Sequence, residues 1–367
     1  MPQTKAKNKK PITKAKSQPQ APMQHVPFYK KKPFLIGAYS LGLVILIVFL
    51  GFRFSPWPGA LVVRTVFNKG GRDTLAAMEQ KLPDYPVSVL KDQQYRLHDK
   101  AAKLDVYAPK SVSQNDQPLP LVIWTHGGAW LSGDKKDFAP YYERLASQGY
   151  IVAAVNYSLA PDKAYPTAVH QLNEAYLYLV TNAKTFHLDP NRIILAGDSA
   201  GAQLSSQMAA LITSPAYAKE VGISPHLKPE QLAGVVLYCG IYKMEKLAHP
   251  DDTLPKVVGW GNDVAIWSYT GKRDYSNDPV VREMSPYYHV TKDFPAAFIS
   301  GGNADALTDV QSKPLAQKLT SLGAGVTTLF YPKDHKPALE HEYQFTFNDD
   351  GEKAFAQMLE FIKAKTQ

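Results

Sequence analysis

From about residue 86 onward, short apolar runs alternate with longer stretches of helical periodicity. Residues 104–108, 121–125, 150–156, 193–196, 235–239, 296–300 and 326–331 are compact apolar segments of strand length. Between and after them, residues 167–180, 202–211, 310–322 and 351–363 repeat their apolar positions at helical spacing. Repeated strand–helix alternation predicts an α/β domain with a mostly parallel central sheet and helices on both faces. No internal repeat interrupts it. Residues 241–290 do break the alternation. They are rich in Pro, Asp, Lys, Trp and Tyr, and they read as an insertion above the sheet. Binding loops lie outside the carboxyl ends of parallel strands, so this insertion is a candidate for substrate contact.

The N-terminal part follows another pattern. Residues 34–52 form a run of nineteen without a charge, directly after Lys30, Lys31 and Lys32. About twenty such residues cross a bilayer as a helix. The long basic region before the run and the lack of an Ala-x-Ala site after it argue against a cleaved signal peptide. The expectation is an uncleaved transmembrane anchor over 34–54, with a basic cytoplasmic tail at 1–33 and everything after the span outside the cytoplasm. Arg53 and Arg64 beyond the span weaken the charge asymmetry without reversing it. Residues 55–85 read as one or two short amphipathic helices, either a linker or a lid over an active-site mouth. Residues 86–367 make the α/β domain.

Charge sharpens this division. The formal net charge is +8, but residues 1–33 hold nine lysines and no acid. The remaining 32 basic residues nearly balance 33 acidic ones. Basicity therefore belongs to the tail, which lacks the interleaved aromatics that stack on bases, so no nucleic-acid partner is expected. The one cysteine, Cys239, permits no intrachain disulfide and reads as a buried thiol.

Candidate chemistry gathers at the predicted strand ends. Gly197-Asp198-Ser199-Ala200-Gly201 follows one strand and opens a helix. In that context the glycines let the chain turn sharply and lift the Ser199 hydroxyl above the sheet. His126-Gly127-Gly128-Ala129-Trp130 follows the strand at 121–125. Its small residues allow backbone N–H groups to face a developing oxyanion, with Gly127, Gly128 and Ala200 as expected donors. A plain glycine turn would explain the glycines, but not their pairing with the serine corner. His126 is expected to shape the turn. A nucleophilic serine needs a base and an orienting acid, in the chain order Ser, acid, His. Asp305 lies just past the strand at 296–300 and is the expected acid, in preference to Asp309 at a helix start, where a carboxylate is ordinary. His341, among Tyr343, Phe345 and Phe347, is the expected base; His335, beside Lys336 and Pro337, is the alternative.

These motifs, with Asn156-Tyr-Ser-Leu-Ala-Pro161 and Tyr165-Pro166, resemble the hormone-sensitive-lipase-like branch of the α/β-hydrolase superfamily and its bacterial esterase relatives. The resemblance covers about residues 86–365. It implies the α/β-hydrolase fold and a serine esterase without cofactors that acts on small acyl esters. It also matches Ser199 to the nucleophile, Asp305 to the acid, and Gly127, Gly128 and Ala200 to the oxyanion donors. Two departures stand out. Ala129 replaces a third glycine, and His341-Glu-Tyr-Gln-Phe replaces His-Gly-Phe. A serine peptidase or amidase would share every motif, and a non-catalytic membrane-anchored protein could share the fold. A zinc HExxH fails at Phe345, no phosphate-binding loop occurs, and the ten histidines show no metal-ligand spacing.

Overall fold

The computed structural model describes residues 28–113, 116–248 and 256–367. Most of the expected basic tail lies outside the described residues. The chain divides into two units, with the boundary between Gly51 and Phe52.

In the first unit and the three residues beyond, helix α1 runs Phe28–Phe54. Its segment Leu35–Phe54 has a mean hydropathy of 2.5, none of it is buried, and it is long and apolar enough to cross a membrane.

The second unit begins with α2 (Trp57–Lys81), a single helix of 25 residues where the sequence suggests one or two short ones. Gly70 and Gly71 sit within it without breaking it. The helix buries Gly59, Ala60, Val63 and Met78, and its contacts with the rest of the fold offset the glycines' poor helix propensity. An eight-stranded sheet follows: β1 (Val87–Gln94), β2 (Lys103–Pro109), β3 (Leu119–Thr125), β4 (Ile151–Val155), β5 (Leu188–Asp198), β6 (Leu232–Tyr238), β7 (Ala297–Gly301) and β8 (Val326–Phe330). Its spatial order is β1-β2-β4-β3-β5-β6-β7-β8. The β1–β2 and β2–β4 pairs are antiparallel and the other pairs parallel. The expected mostly parallel sheet is therefore present, with β1 as an additional edge strand. The reading by apolar runs missed β1, because VSVLKDQQ is largely solvent-facing and carries polar residues at most positions.

Alternation along the strands sorts the core onto two faces. Leu121, Ile123, Leu195, Val235 and Ile299 face one cluster, packed by α3 (Thr167–Thr181) and α4 (Ser199–Thr213). Val122, Trp124, Ile194, Val236 and Phe298 face the other, which holds Tyr141, Tyr142 and the inner face of the C-terminal helix Asp349–Thr366. The second face is strongly aromatic. Trp124 packs edge-on against Tyr141, Tyr238 and Phe345, with ring centroids 5.4–6.1 Å apart. The predicted insertion at 241–290 contains no strand among its described residues. Its longest helix, α5 (Lys256–Thr270), packs on α2 at Gly59, where an added Cβ would fall 2.7 Å from Val264.

Candidate active site

β5 ends at Asp198 and α4 begins at Ser199 with no intervening loop. Ser199 takes φ of 51°, a left-handed conformation that strains any side chain bearing a Cβ. Close packing enforces this corner. A Cβ on Gly201 would lie 1.9 Å from the Thr125 carbonyl oxygen.

Ser199, His341 and Asp305 come together although they are far apart in sequence. His341 Nε2 lies 3.0 Å from Ser199 Oγ, and His341 Nδ1 lies 3.1 Å from Asp305 Oδ2. The Leu307 N–H donates to the other Asp305 oxygen at 2.9 Å. Burial opposes charge on Asp305, but the His341 cation and these hydrogen bonds outweigh it and hold the carboxyl below its ordinary value. Burial likewise pushes His341 down, yet the Asp305 carboxylate prevails and holds the imidazole well above its usual value. The alternatives lie elsewhere. His335 Nε2 contacts Asp350 at 3.0 Å, and Asp309 pairs with Lys313 at 2.6 Å.

The structure corrects one expected donor. The Gly127 N–H already donates to Asp198 Oδ2 at 2.8 Å, so it is committed inside the protein. Among the described residues the Gly128 and Ala129 N–H groups donate to no protein group. Ala129 lines the cavity beside Ser199. The Ala200 N–H sits in the first turn of α4, where no intrahelical carbonyl is available to it. The departure at position 129 has a visible consequence. Ala129 and Trp130 take φ of 53° and 59°, so two residues with side chains occupy the left-handed region in succession. The loop is over-determined by its anchors. The Tyr157 hydroxyl donates to His126 O at 3.1 Å, the Trp130 Nε1–H donates to Gln203 at 2.9 Å, and the Trp130 ring stacks on Tyr269. His126 is buried with Nδ1 2.8 Å from Gly127 O and does not reach Ser199 Oγ, in keeping with a role in shaping the turn.

Two supporting residues carried no role in the sequence reading. Asp198 is fully buried. Burial and the nearby Glu342 carboxylate raise its pKa well above the usual carboxylate range, against the Trp124 and Gly127 donors. Its place beside Ser199 was visible; its burial was not. Cys239 is a buried thiol whose Sγ lies with Asp305 and His341 ligand atoms inside a 4.8 Å cluster. Burial and the Asp305 charge push this thiol up, so it stays neutral. Its sulfur accepts the Glu342 N–H at 3.4 Å, directly behind His341.

Above Ser199 opens a cavity of about 680 Å³. Val62, Val66 and Phe67 of α2 and Trp260 of α5, all exposed to solvent, line it as a roof, and Leu307 and the buried Trp130 also line it. Arg64 fastens α2 to two loops of the fold, donating to the Leu131 and Ala160 carbonyls at 2.7 and 2.9 Å.

A mostly parallel sheet with a strained serine between its fifth strand and the following helix defines the α/β-hydrolase fold, and this chain is an α/β-hydrolase of the carboxylesterase branch. The BD-FAE family model matches residues 104–319, more than half of the chain, and the chain belongs to that family. The matched segment holds Gly128, Ser199 and Asp305 but stops short of His341. An esterase of Gibberella moniliformis is 27% identical over 257 residues, covering 66% of this chain and 74% of that protein. A protein of Acanthamoeba polyphaga mimivirus described as an alpha/beta hydrolase is 30% identical over 151 residues, 38% of this chain; the chain spans only 43% of that relative. Esterase B of Lactobacillus rhamnosis shares the fold, with a TM-score of 0.71, 22% identity, and coverage of 85% of this chain and 96% of that one.

Proposed function

We propose that the protein is a serine carboxylesterase that cleaves acyl esters through an acyl-enzyme. The reading rests above all on the hydrogen-bonded chain Asp305–His341–Ser199 opening into an apolar cavity. His341 Nε2 takes the Ser199 proton as Oγ attacks the ester carbonyl. The oxyanion that forms is met by the N–H groups of Ala200, Gly128 and Ala129, the last replacing Gly127; each donor is worth about 3–4 kcal/mol in the transition state. The tetrahedral intermediate collapses, the alcohol leaves with the proton from His341, and the acyl group stays on Ser199. Water then repeats the sequence and releases the acid. Asp305 holds Nδ1–H and stabilises the imidazolium.

The same reading keeps residues 34–54 as an uncleaved anchor. The lysine-rich tail is then cytoplasmic and the hydrolase unit extracytoplasmic, with α2 as a roof over the site. Protease added to intact cells, or to spheroplasts where an outer membrane exists, should then cut the hydrolase unit and spare the tail.

A fluorophosphonate probe should label the full-length protein, and Ser199→Ala should abolish both labelling and p-nitrophenyl ester hydrolysis. We expect kcat to fall by about 10⁴-fold or more with folding retained. Near-normal ester turnover in Ser199→Ala would reject the assignment. Faster cleavage of peptide anilides than of esters would move the protein to the peptidase reading.

A further inference from the structure

The cavity roof and the membrane-type helix are joined by very little chain. Only Ser55 and Pro56 separate α1 from α2. Phe54 and Trp57 are therefore within about 11 Å of one another, whatever the angle between the helices. The first three turns of α2 expose an apolar face: Trp57, Leu61 (52% exposed), Val62, Val66 (64%) and Phe67. From Asn68 onward the exposed side of α2 turns polar, through Lys69, Arg72 and Asp73. Exposure of large apolar side chains on α2 is thus confined to the roughly 16 Å of helix nearest the span. The start of α5 continues it, with Val257 71% exposed beside Val258 and Trp260. α2 and α5 meet at Gly59, so the two exposed ends belong to one surface.

This surface is also the rim of the cavity. Val62, Val66, Phe67, Val257, Val258 and Trp260 are at once exposed and cavity-lining. In water, such a rim would leave a contiguous apolar patch of the kind that marks an interaction site. A helix with Trp, Leu and Phe on one side and charge further along suits the boundary between headgroups and acyl chains.

We infer that this rim lies in the leaflet the span enters, and that the substrate is a lipid ester whose acyl chains are dissolved in that leaflet. The lipid passes from the bilayer into the cavity without its chains crossing water, and Ser199 cleaves its acyl ester to a fatty acid and an alcohol. The inference rests on the esterase reading and on residues 34–54 remaining attached.

The test uses full-length protein in phosphatidylcholine vesicles. Trp260 lies about two hundred residues from the span, so its lipid contact is not forced by connectivity. Phosphatidylcholine brominated on its acyl chains should quench the emission that Trp260→Phe removes by at least half. Leu61 is outside the cavity. Leu61→Glu should leave hydrolysis of water-soluble p-nitrophenyl butyrate within twofold of the parent, and should lower hydrolysis of dioleoylglycerol carried in the vesicles about tenfold. Unquenched Trp260 emission would overturn the proposal, as would equal effects of Leu61→Glu on both esters. Trp260 shielded from lipid together with a doubled protein mass in detergent would assign the face to a second copy, and would also overturn it. If Ser199→Ala retained soluble ester turnover, the esterase reading would fail, and the quenching result would still decide the membrane face.

Discussion

Ser199 and Asp305 stand just beyond strands whose last residues are wholly buried, from Ile193 to Asp198 in β5 and throughout β7. Val62, Val66 and Phe67, across the cavity, sit on a helix that is packed on one side and open on the other. The floor holds unfavourable backbone at Ser199, Ala129 and Trp130, which only dense surroundings can maintain. The roof shows no comparable strain: none of the described α2 residues takes positive φ. Rigid surroundings suit a floor that must place a proton path within a few tenths of an ångström. An apolar, half-open roof suits selection among acyl chains, where burial area matters more than exact direction.

If this division is right, changes to the floor should alter rate and stability, and changes to the roof should alter preference among substrates. The largest expected effect after Ser199→Ala is that of Asp305→Asn. It should lower kcat by about 10⁴-fold, because the imidazole loses its fixed tautomer. It also tests the electrostatics. His341 must be neutral to act as base, and its pKa is raised by Asp305. The acid limb of kcat/KM in the parent should therefore lie above the ordinary histidine value of about 6.5. In Asp305→Asn the residual activity should have its acid limb at lower pH. An unmoved limb would show that another group governs it.

Lys135 probes the support beneath the loop that carries Gly127 and Gly128. Its ammonium pairs with Asp105 on β2 at 2.8 Å, and both side chains are buried. Lys135→Ala leaves the buried Asp105 carboxylate with the Asp92 N–H at 2.7 Å but without its cation, and should cost about 3–5 kcal/mol in urea denaturation. A loss below 1 kcal/mol (about fivefold in the folding equilibrium) would mean that Asp105 finds other solvation.

Roof changes should be milder and selective. Phe67→Ala should lower kcat/KM for long acyl esters about tenfold, equivalent to roughly 1.4 kcal/mol, and that for acetate esters less. Equal losses on both would place Phe67 in the floor's work. Cys239→Ala should have the smallest effect on activity. It leaves the Glu342 N–H without its sulfur acceptor, and should cost about 1–3 kcal/mol of stability while Ser199 still reacts with a fluorophosphonate.

The strands and the serine corner were readable along the chain because their physics is local. Alternating faces, apolar runs and glycines at a tight turn leave a mark within a few residues. β1 escaped because an edge strand with little buried surface carries no such mark. The grouping of Ser199, Asp305 and His341 was inferred from chain order, strand-end position, neighbouring aromatics and the family resemblance; their hydrogen-bonding distances depend on β7, β8 and a 36-residue separation closing in space. Gly127 shows the limit most clearly. From sequence its N–H is as available as that of Gly128. In the fold Asp198, buried and needing donors, takes it. The roof was foreseen only as a choice between linker and lid, because an amphipathic helix does not state what its apolar side will meet. That depended on Gly59 admitting Val264, and on Arg64 finding two carbonyls from loops about seventy and a hundred residues away. Contacts of that range carry no local signature, since they are set by which surfaces remain to be buried once the sheet has formed.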